Sequence, residues 1–322
     1  MARLKGRRWL FVAVEFVAVI LGYGIKKAAA EPVYFTSGSS VKTYDSVAGT
    51  ISLVATYTDS LRDLTFDLSG NIYAVTNGSD IVRLTPQGTW SVIASGLYSP
   101  GSIVSYQQNL FVVNQNTPVI TKIGPNSEVT DFVTLPQPAS SLAADVFGNL
   151  YAAGGKKIYK ITPNGSVTQA ADFTQVFNQF NNEYTYVGGV AVGGDGLLYA
   201  VRNASGGAVY SVNSQGIISL VGTHPLGLIY ARQIAVNANR LLVLHTWSPY
   251  AGYSQISDVI GGQWIGYSGF QANGIAFASA AVPEPTAATL LATGLLACAI
   301  GGHCVGRRGV QTQTRCKASS GA

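Results

Sequence analysis

The sequence predicts an all-β protein: a six-bladed β-propeller between an N-terminal signal helix and a C-terminal transmembrane helix. Three observations lead to this prediction. Charged residues make up only 11% of the 322-residue chain and glycine is abundant, at 37 residues, whereas soluble domains average about 25% charged residues. Short strands and tight turns recur through residues 33–280. Apolar runs flanked by basic residues stand on both sides of this body.

Residues 1–30 have the pattern of an export signal. A basic start is followed by an apolar run, residues 9–25, and then by Ala28-Ala29-Ala30. Small residues at this spacing form a cleavage site, so we expect cleavage after Ala30. An uncleaved anchor helix is the alternative. The stretch beginning Arg7-Arg8 also loosely resembles a twin-arginine signal, and by either route the export machinery is expected to deliver the body outside the cytoplasm.

Residues 31–281 form the predicted propeller because their sequence repeats. An aromatic or apolar residue near the start of a strand recurs at spacings of 38, 40, 48 and 43 residues, namely at Tyr73, Phe111, Tyr151, Tyr199 and Leu242. In the first four repeats a second strand pair follows around the turns TPQG, GPNS, TPNG and NSQG, which are typical reversal sequences. Four strands in about 40 residues are typical of a propeller blade. A β-sandwich or an incomplete solenoid is the alternative.

The two ends of the body predict how the ring closes. Residues 33–58 contain the second, third and fourth strands of a blade, with Tyr34 at the Tyr73 position. Residues 274–280 supply a first strand with nothing after it. Together they complete a sixth blade shared between the two ends, which leaves no open strand edge in the ring.

Two turns carry a motif known from other propellers. Residues 67–73 and 145–151 both read Asp-x-x-Gly-Asn-apolar-Tyr. This motif resembles propellers of the NHL-repeat and gluconolactonase/streptogramin-lyase type, and the resemblance spans most of residues 33–280. It implies a fold and does not specify an activity.

The net charge of +5 arises at the ends of the chain. Residues 31–281 hold ten basic and 13 acidic residues, so the body carries a net charge of −3 and no nucleic-acid partner is predicted. The three cysteines, Cys298, Cys304 and Cys316, all lie in the C-terminal tail. The body therefore has no disulfide, no Cys-ligated zinc and no thiol nucleophile.

Residues 282–308 are predicted to form a sorting signal with a transmembrane helix, and residues 309–322 a basic polar tail. No charged residue lies between Glu284 and Arg307. As a helix this uncharged stretch extends about 33 Å, enough for a hydrocarbon core of ~30 Å. Arg307 and Arg308 are expected to remain on the cytoplasmic side.

The motif Val282-Pro283-Glu284-Pro285, the apolar run and the arginine pair occur in the order of a PEP-CTERM sorting signal. This resemblance, over about residues 281–308, implies an exosortase-type sorting enzyme as partner and a transient stay in the inner membrane. Release at or near the motif would then deliver the protein to the cell surface or extracellular matrix. The tail after Arg308 departs from the family pattern, and an ordinary tail anchor is the alternative.

One rim of the propeller is expected to bind the ligand. Aromatic and amide side chains in its loops suit carbohydrate or peptide, so exopolysaccharide or an envelope protein is the expected partner. The long insertion 174–187 is the most suggestive segment. The alternative is that these side chains only fill their loops. The rim candidates are Tyr184, Tyr186, Arg202, Tyr230, Arg232 and Trp247.

The body is expected to be a non-catalytic binding or structural protein without metal or cofactor. The alternative is a lactonase- or lyase-like enzyme, in which His224 and His245, in neighbouring repeats, form an acid/base pair. Lactonase relatives bind a divalent metal through Glu, Asn and Asp in the channel. No carboxylate series matches that pattern, because Asp63, Asp145 and Asp195 are expected to serve turns or connections.

Overall fold

The computed structural model describes the body and not the two ends of the chain. Its described residues are 32–45, 48–179, 185–204, 207–223, 230–237, 240–246, 254–260, 263–270 and 272–278. Within these ranges the chain forms 24 strands and one short helix, α1 (Thr174–Asn178). The strands group into six blades of four antiparallel strands. The six-bladed propeller predicted from the sequence is thereby confirmed.

The strands are numbered along the chain, and blade 1 is the shared blade. Blade 1 contains β24 (Gly274–Phe277), β1 (Val33–Ser37), β2 (Ser40–Asp45) and β3 (Thr50–Thr56). Blade 2 contains β4 (Leu61–Phe66), β5 (Ile72–Thr76), β6 (Ile81–Leu84) and β7 (Trp90–Ala94). Blade 3 contains β8 (Pro100–Tyr106), β9 (Asn109–Asn114), β10 (Val119–Ile123) and β11 (Val129–Thr134). Blade 4 contains β12 (Ser141–Ala144), β13 (Leu150–Gly154), β14 (Lys157–Ile161) and β15 (Val167–Asp172). Blade 5 contains β16 (Tyr186–Val192), β17 (Leu198–Asn203), β18 (Ala208–Val212) and β19 (Ile218–Thr223). Blade 6 contains β20 (Tyr230–Val236), β21 (Leu241–Thr246), β22 (Ser254–Ile260) and β23 (Gln263–Phe270).

Blade 1 closes the ring as the sequence predicts. Strand β24 pairs antiparallel with β1, and the register places Val33 opposite Phe277 and Thr36 opposite Gly274. The sheet order is β24-β1-β2-β3, so the first strand of this blade comes from the far end of the body. Each first strand contacts the first strand of the next blade, including β24 with β4. Both described ends of the chain therefore lie side by side.

The hydrophobic core lies between the blades. Six clusters of buried apolar side chains are found among the described residues, one at each interface between neighbouring blades. At the interface of blades 1 and 2, for example, Val41 packs with Leu61 and Leu64. Second strands such as β5 and β13 are largely buried because the neighbouring blades cover both of their faces. Fourth strands such as β3 are largely exposed.

Equivalent positions on the six first strands form an inner belt: Asp63, Ser102, Ser141, Gly189, Gln233 and Gly274. The four belt residues other than glycine each accept a backbone N–H from the next blade. The donors and acceptors are Ile103 N–H to Asp63 at 3.1 Å, Leu142 N–H to Ser102 at 3.3 Å, Val190 N–H to Ser141 at 3.2 Å and Ile275 N–H to Gln233 at 3.0 Å. The two glycines stand where a Cβ would lie within 3 Å of the next blade's backbone.

Blades 5 and 6 are linked more closely than the others. A single residue pair, Asn203 with Tyr230, joins them into one eight-stranded sheet. None of the described residues forms a helix long and apolar enough to cross a membrane. The predicted signal helix and the transmembrane helix over residues 282–308 lie outside the described residues.

Candidate ligand site on the upper face

Two kinds of loop lie on one face of the propeller, which we call the upper face. It carries the loops that join second to third strands and the connections between blades. The opposite, lower face carries the turns that join first to second and third to fourth strands. The predicted ligand rim is therefore the upper face.

A cavity of about 470 Å³ opens on the upper face beside blades 4 and 5. Its described lining residues are Gln137, Gly155, Lys156, Lys157, Thr174, Thr185 and Tyr186. They come from the connection before blade 4, the hairpin between β13 and β14, and the connection that contains α1. The long insertion singled out in the sequence thus contributes part of this cavity.

Helix α1 is held against the core by its aromatic residues. Phe173 and Phe177 are fully buried and pack against each other with ring centroids 5.1 Å apart. Both also contact Tyr210 of β18, at 5.6 and 6.0 Å. Because these rings anchor the insertion between blades 4 and 5, Thr174 is fixed at the cavity wall.

Two lysines supply the positive charge of the cavity. Lys156 Nζ donates to Asn178 Oδ1 at 3.1 Å, and Lys157 Nζ lies 3.6 Å from Asp172 Oδ2. The pKa of Asp172 is lowered, mainly by a hydrogen bond from the Thr174 side chain. The backbone N–H of Thr174 and the charge of Lys157 lower this pKa further, whereas partial burial acts in the opposite direction. An exposed ion pair of this kind contributes about 0–1 kcal/mol. An incoming anion can therefore compete with Asp172 for Lys157.

Thr185 and Tyr186 supply the neutral groups of the cavity. The Thr185 side chain is buried, and its hydroxyl has no hydrogen-bond partner among the described residues. Tyr186 is 38% exposed, and its hydroxyl is hydrogen-bonded to the Asn203 amide. Burial raises the pKa of Tyr186, and the charge of Arg232 opposes that rise. An exposed ring beside an unsatisfied hydroxyl suits a ligand with an apolar face and hydroxyl groups, such as a sugar.

Asp63 is a buried carboxylate that the sequence analysis placed in a connection. That placement is wrong, because Asp63 lies within β4 and is only 5% exposed. It accepts from Leu64 N–H at 2.9 Å and from Ile103 N–H, and the side chains of Ser102 and Gln233 also hydrogen-bond with it. Burial raises the pKa of Asp63 in spite of these four hydrogen bonds. The missed signal was the register of residues 63, 102 and 141 in the repeats.

The structure places His245 in the core and not on the rim. It lies on β21, fully buried, with its Nε2 atom 2.7 Å from the hydroxyl of Ser257, which is also buried. In this position the ring does not reach a ligand on the surface. His224 lies outside the described residues, so the proposed histidine pair stays a prediction.

The predicted rim residues are distributed unevenly. Tyr186 lines the cavity, and Arg232 lies on β20 with an exposed side chain near Tyr186. Arg202 was expected in a loop but lies on β17 and is only 2% exposed, because the strand extends to Asn203. Burial lowers the pKa of Arg202, and Tyr210 opposes that shift. Tyr230 begins β20, and nothing is described of its side chain.

Two further rim candidates, Tyr184 and Trp247, lie outside the described residues. The sequence analysis did not name Gln137, Lys156, Lys157 or Thr185 as ligand candidates, although all four line the cavity. Among the described residues no three His, Cys, Asp or Glu side chains are grouped so that they could hold a metal ion.

Comparison with known proteins supports the fold alone. No protein-family model and no curated protein matches the chain. A chain of a nidogen/laminin complex superposes with a TM-score of 0.62 and 14% identity, over 77% of this chain and 98% of that one. A streptogramin B lyase gives 0.56 and 17% identity, over 77% and 84%. A virginiamycin B lyase from Staphylococcus aureus gives 0.54 and 15% identity, over 75% and 85%.

Proposed function

We propose that the chain is an exported, non-catalytic propeller that binds an anionic polysaccharide in the upper cavity and is sorted to the cell surface through its C-terminal segment. The cavity is the observation that carries the binding proposal. Lys156 and Lys157 present ammonium groups, none of the described lining residues is acidic, and Thr185 and Tyr186 add a hydroxyl and an exposed ring. Uronic-acid sugars combine a carboxylate with an apolar ring face, which matches this set of groups.

The binding experiment uses the purified full-length chain in detergent. We expect it to bind polygalacturonate, measured by calorimetry, and not the neutral polymer dextran. The double variant Lys156→Gln/Lys157→Gln should bind at least about tenfold more weakly, because charge-assisted hydrogen bonds contribute roughly 1.5–3 kcal/mol each. Raising the salt concentration should also weaken binding, because exposed charges are screened.

Lys160→Gln is the matched control for this experiment. Lys160 lies on β14, the strand that begins with Lys157, but does not line the cavity. Its ammonium group lies 5.9 Å from the ring centre of Tyr151. Its replacement should leave polygalacturonate binding unchanged. Equal binding of dextran, or an equal loss of affinity in Lys160→Gln, would contradict the anionic-polysaccharide proposal.

The sorting proposal depends on residues 282–308 and an exosortase-type enzyme. With Pro283, Glu284 and Pro285 changed to alanine, the precursor should stay uncut in the inner membrane of a host that contains such an enzyme. Mature wild-type protein should lack Arg307 by mass spectrometry. Unchanged processing and release of the alanine variant would contradict sorting through this motif.

The alternative, a lactonase- or lyase-like enzyme, stays a prediction. It requires His245 to leave its buried contact with Ser257, or a channel metal. Metal analysis and a lactone-hydrolysis assay on the purified chain separate the two proposals. Stoichiometric Ca²⁺ or Zn²⁺ together with turnover would favour the enzyme over the binding protein.

A further inference from the structure

Among the described residues, three large apolar side chains are exposed in the lower-face turns that join first to second strands. Leu68 is 56% exposed, Val146 57% and Phe147 77%. They occupy the tips of the turns that join the first and second strands of blades 2 and 4. Exposed apolar side chains clustered on one face often mark a surface that another molecule or a membrane covers.

These side chains are not needed to form their turns. In the blade 4 turn Asp145 accepts from the backbone N–H groups of Phe147 and Asn149, at 2.9 and 2.8 Å, and Gly148 adopts a φ of 82°. The carboxylate is thereby turned inward, and the tip presents only apolar side chains. Tyr106 of blade 3 donates to the carbonyl oxygen of Val146 at 3.4 Å, so the turns of blades 3 and 4 form one continuous surface.

Both described ends of the chain lie on this same face. Val33 pairs with Phe277 at the end of blade 1 where the other blades have the turn between their first and second strands. The segment after Ala278 therefore starts at the lower face. The uncharged run that ends before Arg307 is apolar from Ala287 onward, nine residues after Ala278. Nine extended residues span at most roughly 30 Å, so a bilayer anchored there lies within that distance of Ala278.

We propose that the lower face rests on the lipid bilayer while the chain is anchored, with Leu68, Val146 and Phe147 among the lipid headgroups. This inference rests on the proposed membrane anchoring of residues 282–308. It gives the propeller a fixed orientation. The cavity with Lys156 and Lys157 then faces away from the membrane, toward extracellular polymer. The short connection limits the distance between the apolar tips and the interface, where Leu and Phe side chains favour insertion.

Fluorescence quenching by brominated lipid tests this orientation. The full-length chain is reconstituted in phosphatidylcholine vesicles with and without brominated acyl chains. In Phe147→Trp the emission contributed by the added indole should fall by at least about half in brominated vesicles, because bromine quenches at short range. Tyr98→Trp is the control, since Tyr98 is 66% exposed on the upper face; its added emission should not be quenched. Wild-type chain supplies the background from the four native tryptophans.

Alkaline carbonate extraction of the same vesicles separates the two possible failures. If carbonate removes the chain, the membrane anchor is wrong and the orientation falls with it. If the chain stays bound but Phe147→Trp is quenched no more than Tyr98→Trp, the anchor holds and the docking of the lower face is overturned. Unquenched but blue-shifted emission from Phe147→Trp would assign the surface to a protein neighbour and also overturn the lipid proposal.

Discussion

Single aspartates fix the turns on the lower face. Asp145 accepts four hydrogen bonds, from two backbone N–H groups, the Asn149 amide and the Tyr151 hydroxyl. Asp67 makes the equivalent contacts in blade 2. Burial, then the charge of Asp145 and its hydrogen bond, raise the pKa of Tyr151 to about 12. One carboxylate thus fixes both the turn and the tyrosine after it.

Asp145→Asn should lower the free energy of unfolding by about 1–3 kcal/mol. The NH2 group that replaces one carboxylate oxygen cannot accept the hydrogen bonds that this oxygen receives from the Asn149 amide and the Tyr151 hydroxyl. The pKa of Tyr151 should fall from about 12 toward its ordinary value once the neighbouring charge is gone. Urea unfolding and NMR titration of labelled tyrosine measure the two effects. Asp131→Asn, at an exposed position of β11, should change stability by less than about 0.5 kcal/mol. An unchanged Tyr151 titration would contradict the coupling.

Asp63 should make stability depend on pH with a defined sign. Its pKa is raised in the folded protein, so the folded state binds this proton more tightly than the unfolded chain. The contribution of Asp63 to stability therefore falls as pH rises from the ordinary carboxyl pKa of about 3.8 through the raised folded value. Relative to Asp63→Asn, wild-type protein should be most stable at the acidic end of that range.

The difference in unfolding free energy between wild type and Asp63→Asn, measured in urea at successive pH values, tests this dependence. A difference that stays constant, or that grows in favour of wild type with rising pH, would contradict the burial of Asp63. Ser141→Ala is a useful comparison, because Ser141 belongs to the same belt, accepts from Val190 N–H and makes no contact with Asp63; its difference from wild type should depend only weakly on pH.

Single residues were predicted correctly from the sequence where a turn requires particular residue types. The Asp-x-x-Gly-Asn motif marks the turns of blades 2 and 4, where Gly70 and Gly148 have φ values of 78° and 82°. Prediction from the sequence failed for Asp63, Arg202 and His245, whose burial depends on how the ends of strands pack against neighbouring blades. No sequence pattern around Thr185 marks it as a ligand candidate, because only the folded structure buries its hydroxyl beside the cavity.

Strand β16 shows how closely two blades approach. A Cβ at Gly188 would lie 2.3 Å from the carbonyl oxygen of Ala231, and a Cβ at Gly189 2.8 Å from Cα of Gln233. Both neighbours are backbone atoms of β20, which cannot move without shifting blade 6. The two glycines therefore allow the close contact between blades 5 and 6.

Gly188→Ala should destabilise the fold by about 1–3 kcal/mol, the usual range for overpacking. Gly194→Ala is the matched control in the same blade, because nothing lies within 4 Å of the added methyl group and no left-handed φ is required there. It should be neutral or slightly stabilising. Thermal unfolding compares the two, and equal melting temperatures would contradict the close approach.

The strand pattern was predictable at the level of elements because each repeat combines short apolar runs with reversal sequences. Helix α1 was not predicted, since its five residues are too short for a helical period to emerge. Its formation depends on Phe173 and Phe177 entering the cluster at blades 4 and 5. The cavity beside it was therefore only suggested by the length of the insertion.

Ring closure is a property of the whole molecule. The sequence predicted it because the two ends of the body are complementary fragments of one repeat, and the pairing of β24 with β1 confirms it. Where the ligand lies on the ring was not predictable, since the cavity lining joins residues from three separate segments. Export and sorting remain proposals for the intact chain.

A disulfide between Tyr34→Cys and Ala276→Cys should form readily, because these positions are register partners in the closing pair. The experiment uses a chain in which Cys298, Cys304 and Cys316 are serine. The cross-link closes a loop that contains nearly the whole body. It should raise the free energy of unfolding by several kcal/mol, since a loop of about 100 residues gives roughly 4.7 kcal/mol. Non-reducing electrophoresis and thermal unfolding measure it, and absence of the bond under oxidising conditions would contradict the closed ring.

The shared blade also sets the timing of folding. Strand β1 pairs with β24, which lies at the opposite end of the body. The last contact between blades can therefore form only when almost the entire body is available. Contacts this distant in sequence form slowly. An exported chain of this design is expected to complete its native state outside, after translocation of the body and before any cut that detaches it.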